Sequence, residues 1–167
     1  SQGKQRQLSE AEYARLRKLV AETDAALQLR NDMLALLCDT VAMQLVAQER
    51  ANDALALLKN ADFLTGPDGC LPKGVARSKL RAVTMNNLGC FYKNQNKAHT
   101  ALQYLNRALK IEAMNPACDN PAGTHLNLCA ILSQLSRHKQ ALDHAKCALD
   151  LLNSAEQSAD EASGNQE

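Results

Sequence analysis

The stretch at residues 83–109, VTMNNLGCFYKNQNKAHTALQYLNRAL, decides the fold of this chain. Read at the helical period, its apolar residues line one side of two consecutive helices, and the polar segment 94–97 forms a short turn between them. Small residues recur inside these helices, with Gly89 in the first and Ala101 and Ala108 in the second. Because small side chains let two helices cross closely, the stretch predicts a tightly packed helical hairpin.

The pair of alanines seven residues apart occurs three times in the chain. Ala54 and Ala61 precede the pair just described, and Ala141 and Ala148 follow it. The first alanines of the three pairs stand at positions 54, 101 and 141, so the unit recurs after 47 and then 40 residues. A unit that recurs at such a period indicates a stack of repeated helix pairs.

Two connections rich in proline or glycine separate these pairs. Residues 66–74 contain two prolines and three glycines, and residues 116–121 hold the other two prolines of the chain. Neither residue type continues a helix well. The sequence therefore predicts an all-α fold of three antiparallel helix pairs, at about residues 32–64, 76–112 and 122–153, with an additional helix at the N-terminus.

The two ends of the chain lie outside these pairs. Residues 1–8 read as a disordered end, and a capping box of Ser9 and Glu12 starts a helix over residues 9–31. This helix carries a stripe of residues spaced alternately three and four apart: Tyr13, Leu16, Val20, Thr23 and Leu27. The stripe leaves three interpretations open: a helix that caps the stack, a coiled coil that forms a homodimer, or an extension fused to the next helix. Residues 154–167 are acidic, have no apolar face and read as a disordered tail.

The central stretch carries a family resemblance. Its motif consists of Leu88, Gly89, Tyr92, Ala101 and Ala108. In this motif the chain resembles a tetratricopeptide repeat, and with its long connections it is similar to the repeats of the kinesin light chain. The resemblance implies a superhelical stack that acts as a protein–protein interaction scaffold or adaptor, binding a partner peptide or helix in its concave groove. It also implies a cytoplasmic protein associated with the cytoskeleton.

The same resemblance places the groove on the first helix of each pair. Asn87 and Asn127 occupy equivalent positions, and an amide offers both donors and an acceptor, so the two can bracket a peptide backbone. The alternative is that both amides hydrogen-bond helix ends or neighbouring repeats. The side chains that the resemblance implies as peptide-binding are Thr40, Met43, Asn87, Cys90, Lys93, Asn94, Asn127 and Gln134.

Composition and motifs argue against several other function classes. The net charge is +1, so no general attraction to nucleic acid is expected, and no run approaches the ~18 apolar residues that span a membrane. No phosphate-binding loop, metalloprotease, hydrolase or kinase signature occurs, so we expect neither an enzyme nor a cofactor. His144 and Cys147 lie one helical turn apart, but two ligands do not make a zinc site. We therefore predict that the partner is another protein, with no metal, nucleic acid or membrane insertion.

Self-assembly is the main alternative function. In that case the helix at residues 9–31 pairs with a second copy, and the chain is a dimerisation module of a larger cytoskeletal or trafficking protein. The six cysteines form no CxxC pair and no tight cluster, which favours a reducing, intracellular setting.

Overall fold

The computed structural model describes residues 10–69, 74–115, 118 and 121–164, without the side chains of Glu12 and of residues 158–164. These described residues form six α-helices and no β-strand, which confirms the predicted all-α class. The helices are α1 (Glu10–Ala47), α2 (Ala51–Thr65), α3 (Val75–Asn94), α4 (Ala98–Met114), α5 (Pro121–Gln134) and α6 (His138–Gly164).

Consecutive helices pack against one another along the chain. The helices pair as α1 with α2, α3 with α4 and α5 with α6, and α2 and α4 also contact the first helix of the next pair. In addition, α1 contacts α3 and α3 contacts α5, whereas no Cα atoms of α2 and α4, or of α4 and α6, approach within 8 Å in the described part of the chain. The helices α1, α3 and α5 therefore form a continuous row, which we call the first-helix row.

The turns inside the three pairs share one backbone geometry. Each has a residue in the left-handed region: Glu49 (φ 61°), Asn96 (φ 56°) and Ser136 (φ 57°). The residue that follows donates its backbone N–H to a carbonyl five residues earlier, at 2.8 to 2.9 Å. Positions 49, 96 and 136 have the same spacing as alanines 54, 101 and 141, so the turns recur in the same register as the alanines.

The repeated small residues lie where the helices cross. A Cβ atom on Gly89 of α3 would lie 2.6 Å from Cγ of Leu105 on α4, so only glycine fits this crossing without movement. Leu58 and Leu88 fill the core between the first two pairs, and Leu105 and Leu128 fill the core between the last two. Small side chains thus set the helix spacing and large ones fill the space between. All six alanines of the repeated pairs are buried: Ala54, Ala61, Ala101, Ala108, Ala141 and Ala148.

Replacing Ala108 with leucine is expected to lower the free energy of unfolding by about 1–3 kcal/mol, because the site is fully buried and has no room for the added atoms. Thermal melting followed by circular dichroism measures the effect. Ala113→Leu is the matched control, since Ala113 is exposed on the same helix. A melting temperature unchanged by Ala108→Leu would contradict the packing register.

The first helix is longer than the sequence predicts. α1 continues without interruption through residues 31 and 32, so the predicted boundary between two helices is wrong. No proline or glycine stands there, and the Gln28 amide donates a hydrogen bond to Asp32 across the boundary at 3.0 Å. Of the three interpretations, the fused extension is the one that the structure contains. The described side chains of residues 10–27 are all exposed, so this part of α1 extends beyond the stack.

The last helix also continues past its predicted end. α6 runs to Gly164, so the prediction of a disordered tail from residue 154 is wrong as far as residue 164. The physical reason is helix propensity, because residues 155–162 are rich in alanine and glutamate and contain no proline or glycine. Residues 165–167 lie outside the described residues.

Smaller predictions concern the N-terminus and the connections. The disordered end at residues 1–8 and the capping residue Ser9 lie outside the described residues, as do Pro72 and Pro116. The prediction that Pro121 belongs to a connection is wrong, because Pro121 is the first residue of α5. Proline is well suited to that position, since the first N–H groups of a helix have no partner within the helix.

Candidate functional site

A line of polar side chains joins neighbouring helices of the first-helix row. Asn127 Nδ2 on α5 donates a hydrogen bond to Asn86 Oδ1 on α3 at 3.1 Å, and Lys93 Nζ donates to Asn127 Oδ1 at 3.4 Å. One pair earlier, the side chain of Asn87 lies close enough to the carboxyl of Asp39 on α1 to lower its pKa. Apart from Asp39, which is buried, these side chains are half-buried, so part of each remains accessible to a ligand.

This contact repeats with the period of the fold. Asp39 and Asn86 stand 47 residues apart at equivalent positions, and Asn87 and Asn127 stand 40 residues apart. In both cases the later asparagine faces the side chain on the earlier helix, and the hydrogen bond from Asn127 to Asn86 joins two neighbouring helix pairs. For Asn127 this is the alternative role that the sequence left open.

Asp39 is a buried carboxyl at the first of these contacts. Thr84 Oγ1 donates a hydrogen bond to Asp39 Oδ2 at 2.7 Å, whereas Oδ1 is buried without a hydrogen-bond partner. Burial raises the pKa of Asp39 to about 6; the hydrogen bonds from Thr84 and Asn87 lower it, and the charge of Asp62 raises it. The ionised form of Asp39 is therefore poorly stabilised at neutral pH.

A cavity of about 160 Å³ lies between α3, α4 and α5, beside the asparagines. Glu112 enters it from α4 with 9% of its surface exposed. Its Oε1 accepts a hydrogen bond from Thr124 Oγ1 at 2.8 Å, and its Oε2 has no partner. Burial raises the pKa of Glu112, and the bond from Thr124 lowers it. The lining residues are Lys79, Ala82, Val83, Asn86, Asn87, Glu112, Cys118 and Thr124.

The size of this cavity limits what it can hold. Sites for cofactors and drug-sized ligands have volumes of about 300–1,000 Å³, well above the value here. A volume of this size admits at most the end of a single amino-acid side chain, beside Glu112, whose buried Oε2 has no hydrogen-bond partner. The arrangement is therefore suited to recognition of a donor group on a peptide.

Four of the eight predicted groove residues lie at or beside this site. Asn87 lines the cavity itself. Cys90 and Lys93 lie against Asn127, one turn further along the row. Burial raises the pKa of the Cys90 thiol, while the Lys93 charge and a hydrogen bond with Asn127 lower it.

The other four predicted residues do not join this cluster. Thr40 is exposed on the outer side of α1, where its hydroxyl donates to the Leu36 carbonyl at 2.8 Å. Asn94 lines a separate cavity of about 400 Å³ between the turns of the first two pairs. Met43 is half-buried on α1, and Gln134 is exposed at the end of α5. The structure thus concentrates the candidate site on α3, α4 and α5.

Sequence reasoning missed Glu112 and Thr124. Glu112 continues the buried stripe of α4 at positions 101, 105 and 108. A carboxylate on such a stripe indicates a buried polar contact, because an unpaired buried charge is costly. Thr124 is the equivalent of Thr84, which bonds to Asp39. Each buried carboxyl therefore meets a threonine on the following helix of the first-helix row.

Two histidines meet in the last helix pair. The Nδ1 atoms of His125 and His144 lie 2.9 Å apart. Burial lowers the pKa of both; the charge of His144 lowers that of His125 further, and Asp143 raises that of His144. Among the residues that the structure describes, no group of three or more His, Cys, Asp or Glu is arranged to hold a metal ion.

None of the helices in the described ranges combines the length and the apolar character needed to cross a lipid bilayer.

Comparisons with known proteins add no assignment. No protein-family model matches the chain, and no curated protein or solved structure matches it significantly. The geometry of the site is therefore the main evidence on function.

Proposed function

We propose that this chain is a protein–protein interaction module that holds a peptide of a partner along the first-helix row. The observation that carries the proposal is the Glu112 cavity, where a buried carboxylate oxygen without a partner lies beside the amides of Asn86 and Asn87. A buried acceptor that lacks a hydrogen bond costs about 1–3 kcal/mol, which a donor on a ligand would recover.

The chemistry of the cavity favours a lysine or arginine side chain of the partner. Hydrogen bonds between a cationic donor and a carboxylate are stronger than neutral ones. The amides of Asn86 and Asn87 can then bond the peptide backbone next to that side chain. Because a bound cation favours the ionised form of Glu112, whose pKa is raised, the affinity is expected to increase with pH.

The resemblance to tetratricopeptide repeats belongs to the same proposal. In a stack of helix pairs the receptor surface is preformed, so binding need not order the receptor. We propose a non-catalytic adaptor of this kind, located in the cytoplasm and working with cytoskeletal or trafficking proteins.

Glu112→Gln is expected to weaken peptide binding about ten- to a hundredfold, because a hydrogen bond to a charged group contributes about 1.5–3 kcal/mol. The probes are peptides selected on the chain from a phage-displayed library of random dodecamers. Their dissociation constants are measured by fluorescence anisotropy. The selected peptides are expected to share a lysine or arginine that norleucine cannot replace.

The substitution keeps the shape of the side chain and the oxygen that accepts from Thr124, and it removes a charge that burial penalises, so the melting temperature is expected not to fall. Glu22→Gln is the control, because it removes the same charge from the exposed part of α1. Equal affinities of wild type and Glu112→Gln for every selected peptide would refute the proposal.

Self-assembly is the second candidate function, and one observation favours it. The apolar stripe on the first part of α1 has no partner within the described part of the chain: Tyr13, Leu16, Val20 and Leu27 are 46–56% exposed. A dimerisation module of a larger cytoskeletal or trafficking protein would pair these stripes. Leu16→Glu would then lower the mass measured by light scattering from that of a dimer to that of a single chain.

A further inference from the structure

At each end of the stack of helix pairs, an apolar face has no partner among the residues that the structure describes. The N-terminal end face lies on α1 and includes a shallow groove of about 480 Å³. The C-terminal end face lies on α5 and α6. The N-terminal end face consists of Arg30, Met33, Leu34, Leu36, Leu37 and Thr40, and the C-terminal end face consists of Leu126, Leu142, Leu149 and Leu152.

The C-terminal end face has the composition of a junction between helix pairs. Leu142 and Leu149 of α6 stand 40 residues after Leu102 and Leu109 of α4. On α4 these positions are partly buried, because they pack against the cluster that contains Leu128 of α5. On α6 they are 55% and 58% exposed, because no further pair follows among the described residues. The same kind of surface that joins α4 to α5 is therefore left open at the end of α6.

The N-terminal end face is the matching half of such a junction. Leu34 and Leu37 of α1 stand 47 residues before Arg81 and Thr84 of α3. On α3 these positions contact the preceding pair: Arg81 lies 3.1 Å from Asp62 of α2, and Thr84 bonds to α1. On α1 both positions are apolar and 46% and 58% exposed. The positions that face the preceding pair on α3 are therefore exposed on α1, where leucines replace the polar residues.

The charges at the two ends of the chain are complementary. Residues 1–20 carry five basic and two acidic residues, whereas residues 155–167 carry four acidic residues and no basic one. Successive helices in the stack run antiparallel, so the start of α1 and the end of α6 project on the same side. If α6 of one copy packs on α1 of another, the acidic end of α6 approaches Arg15, Arg17 and Lys18 of α1, which favours the encounter.

We propose that copies of this chain associate head to tail, with the C-terminal end face of one copy packed on the N-terminal end face of the next. The stack then continues across the junction as it continues from α4 to α5 within one chain. Because the two faces differ, the contact is heterologous, and association does not stop at a symmetric dimer. This association uses surfaces other than the Glu112 cavity and does not depend on the proposed peptide binding.

The test is sedimentation equilibrium of the whole chain over a range of concentrations. The average mass of the wild type is expected to rise with concentration past twice the 18.2 kDa of one chain. Leu37→Glu and Leu149→Glu each block one face, so each variant alone is expected to remain a monomer. An equimolar mixture of the two variants retains one intact face of each kind and is expected to form a 1:1 dimer.

Two controls separate this arrangement from others. Phe63→Glu changes an exposed apolar residue of α2 outside both end faces, and Leu16→Glu changes the stripe on the free part of α1. Both are expected to associate as the wild type does. Association that survives Leu149→Glu but is lost with Leu16→Glu would overturn the proposal in favour of symmetric pairing of α1. A wild type that stays monomeric up to its solubility limit would overturn it as well. Helix content and melting temperature verify that every variant is folded.

Discussion

Leu105→Ala is expected to lower the free energy of unfolding by about 2–5 kcal/mol. Leu105 is completely buried and belongs to the core between the last two helix pairs. Its removal loses the burial of the side chain and leaves a cavity that the packed helices can close only in part. Urea denaturation, followed by circular dichroism, measures the change.

A second substitution at Gly89 tests the reason for this effect. In the wild type, Gly89→Ala places a Cβ atom 2.6 Å from Leu105 Cγ, so overpacking is expected to cost about 1–3 kcal/mol, partly offset by the better helix propensity of alanine. In the Leu105→Ala background the clash is gone. There Gly89→Ala is expected to raise the free energy of unfolding. Additive effects of the two substitutions would contradict the close crossing of α3 and α4.

Asp39→Asn is expected to raise the free energy of unfolding at pH 7 by up to about 3 kcal/mol. The pKa of Asp39 is about 6 in the folded chain, against 3.8 for an aspartate carboxyl in water. A difference of this size corresponds to about 3 kcal/mol between the protonated and ionised forms. The asparagine carries no charge that burial penalises, and it matches Asn86 at the equivalent position of the next pair.

The sign of the pH dependence follows from the raised pKa. Between pH 3.8 and pH 6 the folded chain binds more protons at Asp39 than the unfolded chain does, so this carboxyl lowers stability as the pH rises through that range. His125 and His144 act in the opposite direction, because their lowered pKa values remove stability as the pH falls below about 6.5. Both histidines are present in wild type and in Asp39→Asn, so their contributions cancel in the difference between the two free energies of unfolding.

Denaturation of both proteins at pH 4, 5, 6 and 7 therefore isolates the contribution of Asp39. The excess in the free energy of unfolding of Asp39→Asn over the wild type is expected to grow from pH 4 to pH 6 and then to level off. A variant less stable than the wild type at pH 7 would mean that the charged carboxylate is needed by Thr84 and Asn87.

The sequence predicts the repeated hairpin because its signals are local. Alanines at a fixed spacing mark the helix crossings, and the turn residues Glu49, Asn96 and Ser136 follow the same spacing. Helix ends were predicted where proline or glycine terminates a helix, as between α2 and α3. They were missed at residue 31 and beyond residue 153, where no such residue stands and helix propensity alone extends the helix.

The candidate site could be predicted only in part, because it depends on contacts between pairs. The equivalence of Asn87 and Asn127 is readable from the spacing, but their partners Asp39 and Asn86 come from a preceding helix. Thr40 shares that position in the first pair, where no helix among the described residues precedes it, and it lies exposed on the N-terminal end face. Position in a repeat thus predicts which side chains are equivalent, and the neighbouring helix decides what each one binds.

The central claim is that α3 and α5 of the first-helix row, together with Glu112, hold a peptide. A ¹H–¹⁵N correlation spectrum of the chain, titrated with a selected lysine- or arginine-containing peptide, tests it most directly. The largest shifts are expected at the side-chain amides of Asn86, Asn87 and Asn127 and at the backbone amide of Glu112. Shifts confined to the outer surfaces of α2, α4 and α6, with these four signals unmoved, would contradict the account.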